Sequence, residues 1–246
     1  MDRLIYTAAS GAKHILEQQA TTSNNLANLS TTGFRAKLDT FRAVPVQSEG
    51  LPTRAFVVDN TIGADYSAGA IQTTGRDLDV AVKGQGWIAV QMADGSEAYT
   101  RNGGLEVGPN GVLTDAKGQT VAGEGGPITV PPDSTVSIGG DGTVAALSTT
   151  TVPATSTVLG RIKLVNPPSA DLVRGDDGMF RMKDGSNAAA DPAVGVASGA
   201  LEGSNVSAVD SMVSMISLAR SLETQMTLMK NVENNDSKAT QLLSLS

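Results

Sequence analysis

The 246-residue chain changes its apolar period twice, and that change limits its possible folds more than any other feature. From Ile5, apolar or small residues recur through Ala8, Ala12, Ile15, Gln19, Thr22, Leu26 and Leu29. The 3-4 spacing is that of a heptad seam, here a lean one with two alanines, a glutamine and a threonine. Near the other end, Met212, Met215, Ala219, Leu222, Met226 and Met229 repeat the alternation. It weakens at Glu233 and Asp236 and resumes at Leu242, Leu243 and Leu245. Between these ends the period drops to two. Leu78, Val80 and Val82 alternate with Asp77, Asp79 and Ala81, and further short runs follow at 87–92, 97–101, 135–138 and 157–165. Turn dipeptides punctuate them: Asp94-Gly95, Asn102-Gly103, Asn110-Gly111, Asp141-Gly142, Asp177-Gly178 and Asp184-Gly185.

The expected fold is therefore α+β. Long, amphipathic, coiled-coil-like helices at the N- and C-termini flank a β-rich body of barrel or sandwich type. Four segments follow: an N-terminal helix over 1–33, an extended connector over 34–75, the β-rich body over 76–200, and a C-terminal helix over 201–246. Pro45 and Pro52 exclude a continuous helix from the connector, which has room for a strand or two. The Ser/Thr/Ala-rich stretch 148–157 reads as a surface loop.

Composition narrows function by exclusion. A formal charge of −7, with 18 basic residues scattered among 25 acidic ones, offers no counterion-displacing patch. Nucleic acid and anionic membrane surfaces are excluded as partners. With no cysteine, there are no disulfides, thiolate nucleophiles or Cys-based metal sites. No apolar stretch reaches the length of a membrane span, so direct membrane insertion is not expected. The first twenty residues also lack the apolar block of a cleavable signal. Aromatic residues are only 3% of the chain, which points to a body packed mainly by Val, Ile, Leu and Ala.

The candidate chemistries fail one by one. Gly84 to Ala89, GQGWIA, fits a dinucleotide fingerprint, but that motif needs a helix to begin there and the following residues alternate like a strand. A hairpin turn with conformationally free glycines is the better reading. RGDDG at 174–178 lacks the alternate oxygens and distant glutamate of a calcium loop, and reads as a capped turn. The sole histidine, His14, lies off the apolar seam, on what reads as a solvated helix face. No catalytic, cofactor-binding or metal-binding residue emerges, and no cofactor is expected. The chain reads as a non-enzyme.

Interaction remains. The two terminal helices either fold back on each other or pack among other chains, and their lean seams favour the second arrangement. Methionine adapts to unlike neighbours. Asn24, Asn25 and Asn28, crowded into the last turns of the first helix, offer amides where helix ends meet other chains. Asn28 doubles as a cap, Gly33 permits a sharp exit, and Phe34 anchors the outgoing chain on its own body or a neighbour.

TTSNNLANLSTTGFRAKL (21–38) resembles the N-terminal signature of the axial proteins of the bacterial flagellum, the rod and hook proteins. The stretch 77–123, with its Tyr99–Gly103 turn, is similar to the β module of that family, and 198–236 to its C-terminal signature. MDRLIYTA, RAVPV, LPTR, GWIAVQ and LEGSNVSAV resemble the proximal-rod members rather than the distal-rod ones. The resemblance implies export by the flagellar type III apparatus without a cleaved signal. It also implies self-association and helical assembly with other proximal and distal rod proteins in the basal body, where the rod carries motor torque across the periplasm. The expected interface is Ile5, Ala8, Ala12, Ile15, Asn24, Asn25, Leu26, Asn28, Gly33 and Phe34 with Glu202, Asn205, Met212, Ile216, Leu222 and Met226. The alternative from another class is a secreted adhesion module acting through Asp176 of the RGD triplet.

Overall fold

A computed structural model describes residues 2–45, 55–149 and 155–244. The LPTR segment and residues 150–154 of the 148–157 stretch lie outside them. The chain divides into two compact units, each assembled from distant segments: Met1–Asn28, Ala36–Asp65 and Val206–Ser246 in one, Leu29–Arg35 and Tyr66–Asn205 in the other.

The first unit holds the helices. α1 (Asp2–Ala27) and α2 (Ala208–Ser244) pack on each other, and α1 also touches the antiparallel strands β1 (Lys37–Pro45) and β2 (Ala55–Ala64). These two strands run from Lys37 opposite Ala64 to Pro45 opposite Ala55, with a register shift between Thr40 and Phe41. The span 34–75 thus contains a paired ribbon as well as extended chain.

The second unit is built of antiparallel strands, with one short 3-10 helix at Ser169–Asp171. After β3 (Ile71–Thr73) come β4 (Val80–Lys83), β5 (Trp87–Gln91), β6 (Glu97–Thr100), β7 (Leu105–Val107), β8 (Leu113–Asp115), β9 (Thr120–Gly123) and β10 (Gly126–Pro127). Then follow β11 (Ser134–Ile138), β12 (Thr143–Ser148), β13 (Ser156–Arg161), β14 (Leu164–Val165), β15 (Leu172–Arg174), β16 (Phe180–Met182), β17 (Gly195–Ser198) and β18 (Ala200–Glu202). The largest sheet runs β15-β16-β6-β5-β9-β8-β7, with β10 paired to β9 and β14 to β5. β11, β12 and β13 make a separate sheet, and β17–β4 and β18–β3 are two-stranded pairs. No barrel closes among the described residues; the expectation of a barrel is corrected to an open, multi-sheet body. Closure would need the edge strands β7 and β15 to meet, and they do not pair.

The main apolar core joins the largest sheet, the β11–β13 sheet and the β17–β4 pair. Val80 and Val82 of β4, Ile88 of β5, Val136 and Ile138 of β11, Val144 of β12 and Val196 of β17 are buried together with Leu105, Leu113 and Ile162. Its β-branched and leucine content is what the low aromatic fraction requires.

Gly95, Gly111, Gly142 and Gly178 have positive φ in turns joining consecutive antiparallel strands, as their dipeptides predict. Asn102-Gly103 differs. A Cβ on Gly103 would lie 1.7 Å from the carbonyl oxygen of Val80, so the glycine is there for close backbone approach rather than for turn geometry. GQGWIA also departs from expectation. Gly84 and Gly86 make a turn into β5, with no helix, yet β4 and β5 do not pair: β4 pairs with β17 and β5 with β6, β9 and β14. It is a crossover between sheets, not a hairpin.

Gly103→Ala should therefore lower stability far more than Gly118→Ala, which meets nothing within 4 Å and bears only the left-handed penalty of about 1–2 kcal/mol. Denaturant unfolding of both variants checks this; equal losses would contradict the close-approach account.

Candidate assembly surfaces and the Glu202 clamp

In the helical unit, Met215 lies beside Ser23, whose Oγ is 4.0 Å from its sulfur, and Gln225 lies beside Gly11. The helices are antiparallel. α2 is 37 residues and α1 26, so this register leaves the C-terminal end of α2 projecting beyond the start of α1. Ala12 is buried, and Ile5, Ala8, Ile15 and Leu26 are half-buried. Tyr6, Lys13, Leu16, Ala20, Ser23 and Ala27 form α1's exposed face. His14 is not on it. The ring stands edge-on to Phe41 at 5.4 Å, and its Nδ1 lies 2.8 Å from a Glu17 carboxylate oxygen. The solvated reading of His14 is corrected: the β1–β2 ribbon covers the flank that a lone helix would leave open.

On α2 the half-buried row is Ser211, Met215, Leu218, Leu222, Gln225, Met229 and Val232. The heptad spacing is kept, but one set of positions sits a residue earlier than Met212, Ala219 and Met226 would place it. Leu222 belongs to this inner row. Val209, Met212, Ile216 and Met226 lie on an outer row, with exposures of 70, 54, 56 and 56%. Sequence periodicity merged two apolar rows into one seam, because 3-4 spacing leaves them only one residue apart.

The asparagines divide their work. Asn25 pairs with the backbone of Lys37 in both directions: its Nδ2 donates to the Lys37 carbonyl at 2.9 Å, and Lys37 N–H donates to its Oδ1 at 2.8 Å. The amide of Asn25 is thus used within the unit, where it starts β1. Asn28 Nδ2 donates to the Asn24 carbonyl at 2.8 Å, closing the last turn. The Asn24 side chain is exposed.

Gly33, Phe34, Glu202 and Asn205 meet in the β unit. Gly33 N–H donates to the Glu202 carbonyl at 2.7 Å, and Asn205 N–H to the Phe34 carbonyl at 3.3 Å. Segments 29–35 and 202–205 are thereby bound side by side. Gly33 has φ +67°, and a Cβ there would fall 2.2 Å from the Arg101 carbonyl carbon. Phe34 is buried on its own body, under the Arg174 guanidinium at 4.6 Å.

The Glu202 side chain is the centre of this knot. Its carboxylate, 1% exposed, has Oε1 2.7 Å from Arg35 Nη1 and Oε2 2.8 Å from Arg101 Nη1. Gly69 N–H also donates to Oε1 at 2.8 Å. Arg101 further donates to the carbonyls of Val82 and Gly84, at 3.2 and 2.6 Å. Arg35 is fully enclosed, and its contact with Glu202 is an ion pair without hydrogen-bond alignment. Trp87 lies beneath both guanidiniums, at 5.9 Å from Arg35 and 5.5 Å from Arg101. Burial pushes the Arg101 guanidinium below its ordinary value; Glu202 opposes that shift and the Arg35 charge adds to it. Arg35, Arg101 and Arg174 are the residues that sequence reading missed. No local spacing links positions 35, 101 and 202, although an arginine beside a buried aromatic is a signal in hindsight.

Three family models match the chain: the flagella basal body rod protein over residues 5–35, the flagellar hook protein FlgE/F/G D1 domain over 81–146, and the flagellar basal body rod FlgEFG protein C-terminal over 197–242. The flagellar basal-body rod protein FlgF of Salmonella typhimurium is 49% identical over 252 residues, covering 100% of both chains. The chain belongs to the flagellar basal-body rod protein family. FlgF of Escherichia coli matches at the same 49% identity and full coverage. FlgG of Bacillus subtilis is 29% identical over 244 residues, covering 91% of this chain and 92% of that one. The first family match takes in most of α1 and ends at Arg35; the last begins in β17 and includes Glu202.

Glu202→Gln leaves two buried guanidiniums without their counter-charge and is expected to cost about 3–5 kcal/mol. Glu106→Gln, on a side chain 61% exposed, is the matched control and should move stability by less than about 1 kcal/mol. Comparable melting temperatures for the two variants would contradict the clamp.

Proposed function

We propose that this chain is a non-enzymatic structural subunit of the flagellar basal-body rod, seated in its proximal part, and that it binds neighbouring subunits through the outer row of α2. The observation that carries this is the exposed row Val209, Met212, Ile216 and Met226, on a helix of roughly 55 Å whose neighbouring row is taken by α1. Exposed apolar residues gathered on one side of a helix mark an interaction surface. The proximal reading rests on 49% identity to FlgF relatives against 29% to an FlgG relative. Assembly partners are further copies and the other rod proteins, and the assembled rod carries motor torque across the periplasm. Delivery by the flagellar type III export apparatus belongs to the same reading. Asn24, exposed at the end of α1, adds an amide to the surface offered to neighbours.

The adhesion alternative is disfavoured by Arg174. This arginine of the RGD triplet donates to the Arg35 carbonyl at 2.6 Å and is stacked between Phe34 and Phe180, so it is not free for a receptor.

Ile216→Asp and Met212→Asp test the assembly surface. Both sites are exposed, so stability should change by no more than about 0.5 kcal/mol. Swimming in soft agar should be lost and the chain should be missing from isolated basal bodies. Normal motility with both variants incorporated would overturn the proposal.

A further inference from the structure

The β unit contains a cavity of about 320 Å³ above the Glu202 clamp that the assembly role leaves unused. Trp87 and Arg101 form part of its wall, and the 166–169 turn faces them across it. Its polar side chains are Arg101, Tyr66, Gln85, Asn166 and Ser169. Each is cationic or can donate a hydrogen bond, and among the described residues no carboxylate lines the space. Arg101 is 4% exposed, and its Nε has no hydrogen-bond partner among the described residues.

Charge behind the wall points the same way. Arg35, Arg101 and Arg174 gather around Trp87, Phe34 and Phe180, while Glu202, paired with Arg35 and Arg101, is the one carboxylate in ion-pair contact with this group among the described residues. Buried positive charge without matching negative charge is costly, and a donor-lined space beside it is where an anion would offset the cost. Arginine is also the side chain best shaped to receive a carboxylate. Burial raises the Tyr66 phenol, which therefore stays protonated as a donor.

We infer that this cavity binds a carboxylate or similar small oxyanion, held by Arg101 and flanked by Tyr66, Gln85, Asn166 and Ser169. The anion has two sources with the same chemistry: a free small carboxylate, or an acidic side chain of a second copy of this chain.

Trp87 is the chain's only tryptophan and lines the cavity, so its emission reports occupancy directly. The full chain at micromolar concentration is titrated with sodium acetate against sodium chloride at constant ionic strength, and then with phosphate. Binding predicts a saturable emission change and a raised melting temperature with acetate or phosphate, beyond the chloride response. Gln85→Glu puts a carboxylate at the exposed rim of the site and should weaken the acetate response at least about tenfold. A change in emission with protein concentration alone, reversed by acetate, would identify the second copy as the source. The inference is overturned if acetate and phosphate act no differently from chloride and protein concentration has no effect. It is also overturned if Gln85→Glu responds like the parent chain.

Discussion

A single buried carboxylate fixes the β unit's geometry. Glu202 binds Arg35 and Arg101 through its two oxygens, and its carbonyl receives Gly33 N–H. Residues separated by more than sixty positions are brought within hydrogen-bond distance, against the entropy of closing long loops. The surroundings then have little freedom. Gly33 must be glycine against the Arg101 backbone, and Gly69 lies where a Cβ would be 2.1 Å from the Gly203 carbonyl oxygen. Trp87 and Phe34 fill the apolar space under the guanidiniums. Such a cluster gains little over well-packed apolar residues, but it is costly to break from one side. It therefore enforces one pairing of segments 29–35 and 202–205.

What the sequence disclosed follows from the range of each interaction. Helices at both ends and strands between were legible, because the periods of 3.5 and 2 are local properties. Turns at Gly95, Gly111, Gly142 and Gly178 were legible for the same reason: an Asx-Gly pair carries its own backbone preference. The sheet connections were not. The non-pairing of β4 and β5 and the absence of closure depend on partners far along the chain. Gly103 looked like one more turn glycine, although its constraint comes from Val80. Asn25 read as an amide awaiting another chain, and a strand twelve residues later takes it up. The residues expected at the interface divide similarly. Gly33, Phe34, Glu202 and Asn205 are brought together inside the β unit, whereas Met212, Ile216 and Met226 stand exposed.

Family membership and the surface of α2 make one argument. Between its two ends, the inner row of α2 presents serine and glutamine as well as methionine and leucine to α1, a lean interface for a helix of that length. The outer row carries valine, methionine and isoleucine into solvent, where an isolated chain has no use for them. A subunit built to be surrounded would distribute its apolar residues over two faces in this way. Methionine, present in both rows, suits contacts that are not identical from one neighbour to the next.

Because the chain contains no cysteine, single thiols can be placed at will. The most direct measurement is photo-cross-linking of intact basal bodies whose chain carries a maleimide-linked benzophenone on a cysteine at position 212, 216 or 226, with position 222 on the inner row of α2 as the reference. The account predicts cross-links to neighbouring subunits from the three outer positions and none from 222. Cross-links absent from the outer positions in motile cells, or equally strong from 222, would contradict it.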